Sequence, residues 1–348
     1  MVAYIFESKT TGHRRCYHPR YAGITPSVSF AWFSFHRSTA VVGIALSLCL
    51  PSAIGANPPL ADKQETRWTM VNVSPAEEQA DCHLIEFPDG RKALIDIADA
   101  ADAAGTALAY LQSHKITKID LVVISHFHRD HYGRLMDLIE AGIRIGRVAI
   151  NLPAPDNKIA DEEMPWGFDR AHVESVLQYL REKKIPYFTP LAGERLMEVP
   201  IANGLTVSLD VVCLYDGMHT PVGATDVNDT SIIVRLSHGA TRALFTGDLN
   251  QKLGAYLAGS DFDLAADVLK VPHHGTIGCA PDEFFAKVNP KAALVPSPRT
   301  LWLSPRSKPI RDFFSAHNIP TYVSGIHGHV TVIMTAQGFT IETERAGN

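Results

Sequence analysis

A layered α/β architecture with mixed sheets is the fold class that these 348 residues predict, and three observations predict it. Short runs rich in Val, Ile and Leu recur from about Arg67 onward. Stretches of helical length separate many of them, which favours sheets covered by helices. At least one pair of runs is joined by a tight turn, and a hairpin rules against a purely parallel, doubly wound sheet. Apolar residues at 46% and charged residues at 20% supply a sizeable core. No repeat, low-complexity tract or Pro/Ser linker divides residues 68–345, so they read as one domain.

CHLIEF (82–87) and KALIDI (92–97) flank PDGR, a β-hairpin with Asp89-Gly90 at the turn. A helix is predicted over 101–113, followed by a fully buried strand, IDLVVI, over 119–124. GRLMDLIEAG reads as a helix closed by Gly142. RVAINL (147–152) is another strand, the polar stretch 153–168 a loop, and residues 170–183 a helix. In the second half, strands are predicted over 205–214, 231–236, 242–247, 268–272, 292–296 and 329–334, with helices near 249–258, 281–287 and 306–317.

The first 56 residues read as a leader outside the fold. Arg37 precedes an apolar run from Ala40 to Leu50, Pro51 breaks it, and small residues lead to Asn57. This is the layout of a secretory signal peptide cleaved after Ala56, with residues 57–67 as a short linker. The run is too short for a comfortable membrane span. A secreted or periplasmic location is expected, the other reading being a membrane anchor in the N-terminal segment. Residues 1–56 hold five Lys/Arg and one acid, leaving 27 basic and 36 acidic residues in the remainder. So acidic a body lacks the electrostatic footprint that gripping extended nucleic acid requires. Beyond the leader, Cys82, Cys213 and Cys279 are widely spaced and odd in number. They form no disulfide framework and read as buried small hydrophobes, with room for one bridge.

One loop carries the chemistry. SHFHRDHYG (125–133) follows the buried strand and packs His126, His128, Asp130 and His131 into six positions. His126 and His128 alternate on an extended backbone, which projects both imidazoles to one side. Asp130 and His131 come at the turn into the next helix and face a second point, so the geometry suits two adjacent metals. TGD (246–248) ends a strand with Asp248, a carboxylate able to give one oxygen to each of two cations. VPHHG (271–275) ends another with His273 and His274. Imidazole and carboxylate suit Zn²⁺, and a catalytic site keeps one position open for water.

H-x-H-x-D-H after a buried strand, then T-G-D, then K-V-P-H-H-G in that order resembles the metallo-β-lactamase superfamily. ADCHLIEFPDGRKALIDIA, NDTSIIVRL and DVLKVPHHGT are similar to segments of one subgroup, the hydrolase domain of the competence protein ComEC. The resemblance covers about residues 68–345. It implies a four-layer αββα sandwich with two divalent ions at the edge where the sheets meet, Zn²⁺ first, with Mn²⁺ or Fe as alternatives. His126 and His128 would bind metal one, Asp130, His131 and His274 metal two, and Asp248 would bridge. His273 would face the substrate phosphate or leaving group, and Asp96 would orient a ligand from behind. The third histidine that the superfamily supplies to metal one is missing; Asn228 stands nearest to that position, and His219 lies nine residues upstream. The subgroup's glycine after the Asp96 motif is Ala98, and SPRTLWLSPRS replaces its segment after the last motif.

The expected chemistry is hydrolysis by a hydroxide bridging two metals, with Asp130 or Asp248 taking the released proton. The expected substrate is a phosphodiester or small phosphate ester, a lactone or other ester being the alternative. Trp166, Phe168 and Trp302 are candidates for the pocket wall or else packing residues, and Arg299 and Arg306 read first as solvated loop cations, an anion contact being the alternative. A metal-binding protein without turnover, having lost metal one, is the reading from a different class, and redox chemistry on iron is a third.

Overall fold

Side-chain alternation along the strands divides this chain into layers. The computed structural model describes residues 64–73, 79–99, 106–162 and 168–347. The leader, residues 57–63 of the linker, Trp166 and the first turn of the helix expected over 101–113 lie outside the described residues. In the first half the strands are β1 (Thr66–Met70), β2 (Cys82–Glu86), β3 (Lys92–Ile97), β4 (Lys118–Ile119), β5 (Leu121–Val123), β6 (Arg144–Ile145), β7 (Val148–Ala149) and β8 (Tyr187–Phe188). The second half adds β9 (Arg195–Pro200), β10 (Thr206–Cys213), β11 (Ile233–His238), β12 (Thr241–Phe245), β13 (Val268–Lys270), β14 (Ala292–Val295), β15 (Thr321–Val323), β16 (Val330–Thr335) and β17 (Gly338–Thr343).

Among the described residues these build an eight-stranded sheet in the order β17-β16-β1-β2-β3-β5-β7-β8 and a seven-stranded sheet in the order β15-β14-β13-β12-β11-β10-β9. Each sheet is antiparallel on one side and parallel on the other: β2 pairs antiparallel with β3, which runs parallel to β5, and β11 pairs antiparallel with β12, which runs parallel to β13. The sheets are mixed, as the hairpin requires.

Alternation then assigns the faces. Ala93 and Ile95 of β3 enter a core shared with the second sheet, whereas Leu94 enters the core beneath the helices. Ala243 and Phe245 of β12 meet them between the sheets, and Leu244 faces the opposite way. On the outer face of the first sheet lie helices Thr106–Ser113, Leu135–Glu140 and Arg170–Glu182. The last buries Val173, Val176, Leu177 and Leu180, the spacing of a helix with one apolar stripe, and Asp169 caps its start by accepting the N–H groups of Ala171 and His172. On the outer face of the second sheet lie Gln251–Gly259, Asp282–Val288 and Lys308–Ala316, burying Leu253, Phe284, Phe285 and Phe314 among others. The result is the αββα sandwich.

The strand expected over 119–124 is interrupted at Asp120. Its carboxylate accepts the Lys92 N–H (3.0 Å) and its own N–H donates to the Lys92 carbonyl, so β4 leaves the main sheet and pairs with β6. Gly146 permits the close approach, since a Cβ there would lie 2.4 Å from the Asp120 carbonyl oxygen. β9 and β17 were not expected: β9 buries Leu196, Met197 and Val199 but exposes Arg195, Glu198 and Pro200 between and beside them, and β17 is an edge strand with no fully buried position, so neither carries a strong apolar run. β1 begins at Thr66, inside the stretch read as linker. Cys82, Cys213 and Cys279 are buried, and no disulfide joins them among the described residues. No helix among the described residues is long and apolar enough to cross a membrane.

Trp68 of β1 and Phe245 of β12 pack at a tilt of 57° across the inter-sheet core with ring centroids 4.4 Å apart, and the Trp68 indole N–H donates to His83 Nδ1 (3.3 Å). Trp68→Ala should lower the unfolding free energy by about 3–5 kcal/mol in a denaturant titration, the usual cost of emptying a large aromatic site. A loss below about 1 kcal/mol would show that the sheets are not held together here.

Candidate metal centre

The parallel strands of both sheets end at a common edge, and the expected ligands leave from those ends. β3 ends beside Asp96, β5 leads into Ser125–His131, β12 into Asp248, β13 into His273 and His274, and β14 into Pro296. Loops beyond the carboxyl ends of strands are where α/β sheets place their ligand sites. Asp96 ties the first two ends together. Its Oδ1 accepts the Ser125 N–H (2.7 Å) and its Oδ2 accepts the Ser125 hydroxyl (2.8 Å). The same Oδ2 lies 2.9 Å from His131 Nδ1, which turns His131 Nε2 outward. The second sheet is tied in by the Ile232 N–H, which donates to the Ser125 carbonyl (2.8 Å).

Asp130, His131, Asp248 and His274 bring ligand atoms within 4.8 Å of one another. His131 Nε2 stands 3.3 Å from Asp248 Oδ2 and 3.7 Å from Asp130 Oδ2. His274 Nε2 stands 3.1 Å from Asp130 Oδ2 and 3.3 Å from Asp248 Oδ2. His274 Nδ1 faces the Pro296 carbonyl at 2.9 Å, which fixes that ring with Nε2 toward the carboxylates. His131 Nε2 is buried without a hydrogen-bond partner. Two imidazole nitrogens and two carboxylates converging on one point, one nitrogen unsatisfied, fit a divalent cation.

His126 and His128 lie beside this cluster, Nε2 to Nδ1 at 3.1 Å, and the His126 ring centroid is 4.1 Å from that of His131. Among the described residues, no third His, Cys, Asp or Glu joins His126 and His128 in a cluster of the same compactness. Asn228 is buried on the neighbouring turn with its Oδ1 unpartnered, and its backbone carbonyl accepts the Ser231 hydroxyl (2.7 Å). Ser231 Oγ in turn accepts the Asp248 N–H (2.9 Å) and stands 3.5 Å from His126 Nδ1. His219 is elsewhere: its side chain is 77% exposed and pairs with Asp216 at 2.7 Å. A histidine nine residues upstream of Asn228 sits on its own surface loop.

The two histidines of HHG have different surroundings because the backbone turns sharply under them. His273 and His274 both adopt positive φ, 50° and 52°, the left-handed region that costs non-glycine residues about 1–2 kcal/mol each. The turn buries His274 completely and leaves His273 partly exposed, with Nδ1 unpartnered. Ala98 also has positive φ, 67°, the conformation for which a glycine would be suited.

Two residues that sequence reasoning missed complete the centre. Lys270, the last residue of β13, is fully buried; its ammonium ion-pairs with Asp81, donates to the Gly247 carbonyl (2.7 Å) and stands 3.5 Å from Asp248 Oδ1. Burial would raise the Asp81 carboxyl, but Lys270, His274 and His131 together hold it well below the usual carboxylate range. Burial likewise opposes ionisation of Asp248, and His274, His131 and Lys270 outweigh it. Desolvation pulls His131 and His274 down, yet the surrounding carboxylates, Asp248 first, keep both well above the ordinary imidazole value. His126 is driven the other way, by burial and then by His131. Both stand inside segments quoted for the family resemblance, Asp81 in ADCHLIEF and Lys270 in K-V-P-H-H-G, but spacing gave neither a role, and only the position of the partner across the two sheets shows what each does.

Among the remaining candidates, Phe168 is buried in the first helical core and Trp302 in the second, where its ring packs over Gly275. Arg299 and Arg306 are exposed.

Gly247 tests the placement of Asp248. At φ 50°, a Cβ there would lie 2.3 Å from Ser231 Oγ and 3.1 Å from Ser125 Cβ. Gly247→Ala should displace Asp248 and Ser231 together, weakening cation binding and lowering stability by more than the ~1 kcal/mol typical of a point substitution. Unchanged binding in calorimetry would show that the turn does not set the ligand position.

The sequence model of the metallo-beta-lactamase superfamily matches residues 75–297. ComE operon protein 3 of Bacillus subtilis (strain 168) is 25% identical over 189 residues, which are 54% of this chain and 21% of that protein. The match thus spans about a fifth of the relative's length. Among solved structures, the metallo-beta-lactamase fold protein YhfI from Bacillus subtilis aligns at 14% identity and TM-score 0.43, covering 74% of this chain and 96% of that one. CmlA, a diiron beta-hydroxylase from Streptomyces venezuelae, aligns at 11% identity and TM-score 0.47, covering 78% and 54%.

Proposed function

The chain belongs to the metallo-β-lactamase superfamily, and from that premise we propose that it is a metal-dependent hydrolase of phosphodiesters or small phosphate esters. The observation that carries the reading is the convergence of Asp130, His131, Asp248 and His274 within 4.8 Å, with His131 Nε2 buried and making no hydrogen bond. In this proposal Asp130, His131 and His274 would hold one divalent ion, His126, His128 and the Asn228 amide oxygen would hold a second, and Asp248 would serve both. Zn²⁺ is the first choice for this donor set, with Mn²⁺ or Fe as alternatives. Such ions supply Lewis acidity, polarising a phosphoryl group and making water acidic enough to attack it near neutral pH.

The chain's own residues divide the remaining work. Asp96 and the Pro296 carbonyl hold the His131 and His274 rings from behind. Asp130 is the ligand-cluster carboxylate with the most open side chain, 16% exposed against 2% for Asp248, and it is placed to accept the proton released by the attacking water. His273, at the rim and pushed toward its neutral form by burial, is placed to meet the phosphate or leaving group. The acidic balance of the body favours a small substrate over extended nucleic acid. Export by the N-terminal leader is part of the same proposal.

The absence of a third His, Cys, Asp or Glu beside His126 and His128, among the described residues, supports one competing reading, a metal-binding protein without turnover. Elemental analysis and hydrolysis of bis(p-nitrophenyl) phosphate separate the two. The enzyme reading expects two ions per chain, chelator-sensitive turnover, and no turnover in Asp248→Ala or His131→Ala. Near-normal activity in either variant sinks the assignment. One ion per chain without turnover on phosphate esters, lactones or other esters makes the non-catalytic reading the better one.

A further inference from the structure

Asp81 and Lys270 carry charge in the buried part of the centre, outside the Asp130, His131, Asp248 and His274 cluster, although Asp81 lies with Asp96 and His131 in a second compact group. Asp81 stands just before β2, and its backbone is pinned at both sides: its N–H donates to the Asp130 carbonyl (3.1 Å) and its carbonyl accepts the Ala98 N–H (2.7 Å). Its carboxylate is completely buried, and neither oxygen has a hydrogen bond of normal geometry. Charge holds it instead. Oδ2 pairs with the Lys270 ammonium and lies 3.8 Å from His131 Nδ1, while Oδ1 lies 3.2 Å from His274 Nδ1.

Lys270 therefore places a permanent cation beside Asp248, the carboxylate shared between the two ion positions. At 3.5 Å from Asp248 Oδ1 the ammonium is at the limit of contact, whereas Asp81 and the Gly247 carbonyl hold it closely. An ammonium free to close on Asp248 would compete with metal for it. A cation and a carboxylate at this separation, out of water, attract strongly, so something must restrain the approach.

We propose that Asp81 is a positioning residue that tethers the Lys270 ammonium away from Asp248, so that Asp248 turns Oδ1 to the lysine and keeps Oδ2 for the metal cluster. The inference rests on the metal-centre reading above. It assigns Asp81 no contact with substrate or metal, and it makes Lys270 a restrained competitor rather than a ligand.

The test uses the full chain and Zn²⁺ alone, with affinity measured by competition against a chromophoric chelator. Asp81→Asn should weaken Zn²⁺ binding at least tenfold, because the released ammonium closes on Asp248. Asp81→Asn combined with Lys270→Met should recover most of that loss. Damage to packing alone predicts no such rescue, since the second change removes another buried group. Wild-type affinity in Asp81→Asn, or a double variant no tighter than the single one, overturns the proposal. Should Asp81→Asn fail to fold by circular dichroism, a crystal structure of the Zn²⁺-loaded wild-type protein decides. Lys270 Nζ on Asp81 supports the tether, and Lys270 bonded to Asp248 with Asp81 released overturns it. Wild-type protein that binds no divalent ion overturns the hydrolase reading and this inference together, whereas tight wild-type binding with an unaffected Asp81→Asn variant overturns the inference alone.

Discussion

Burying Asp81, Asp96 and Asp248 completely, with Asp130 close behind, imposes the constraint on which this structure depends. A carboxylate removed from water is costly unless donors or opposite charges surround it. Each of the four meets that requirement differently. Asp96 is satisfied by Ser125 and His131, Asp248 by the His131 and His274 imidazoles with the Lys270 ammonium at the limit of contact, Asp130 by His274, and Asp81 by Lys270. The donors come from both sheets, so the site and the packing of the sandwich are one problem. Neither sheet alone holds a balanced set of charges.

The sandwich meets this constraint through strand direction. β3 and β5 run parallel in one sheet, and β12, β13 and β14 run parallel in the other, so five carboxyl ends open onto the same edge. The Trp68–Phe245 contact sits behind that edge and links onward through His83, whose Nε2 lies 3.6 Å from Asp81. Core packing and site electrostatics thus share a line of touching residues. The antiparallel halves of both sheets enlarge the inter-sheet core, and their β2 and β11 start beside the site, at Asp81 and Ser231.

Local pattern made much of this readable. The 82–97 hairpin, the helix over 170–182 and the segments with candidate ligands after β5, β12 and β13 all depend on residues close in the chain, where period-two alternation and turn chemistry act directly. The interruption at Asp120 was not readable in the same way. It depends on Gly146 approaching the Asp120 carbonyl and on a carboxylate reaching Lys92, contacts between distant segments. β9 and β17 escaped notice because half-exposed edge strands need no continuous apolar run.

By itself the sequence determined the kinds of candidate ligand, imidazole and carboxylate, and the strand ends that present them, because spacing of one or two residues decides which side chains share a local face. Only the tertiary structure decided which of them converge. It gathered Asp130, His131, Asp248 and His274, put His219 on a surface loop, and gave His273 and His274 opposite surroundings through a left-handed turn. It also paired Asp81 with Lys270 across the two sheets. Convergence of this kind depends on how two separately built sheets dock, and burial makes an isolated charge costly enough that the docking must supply its partner.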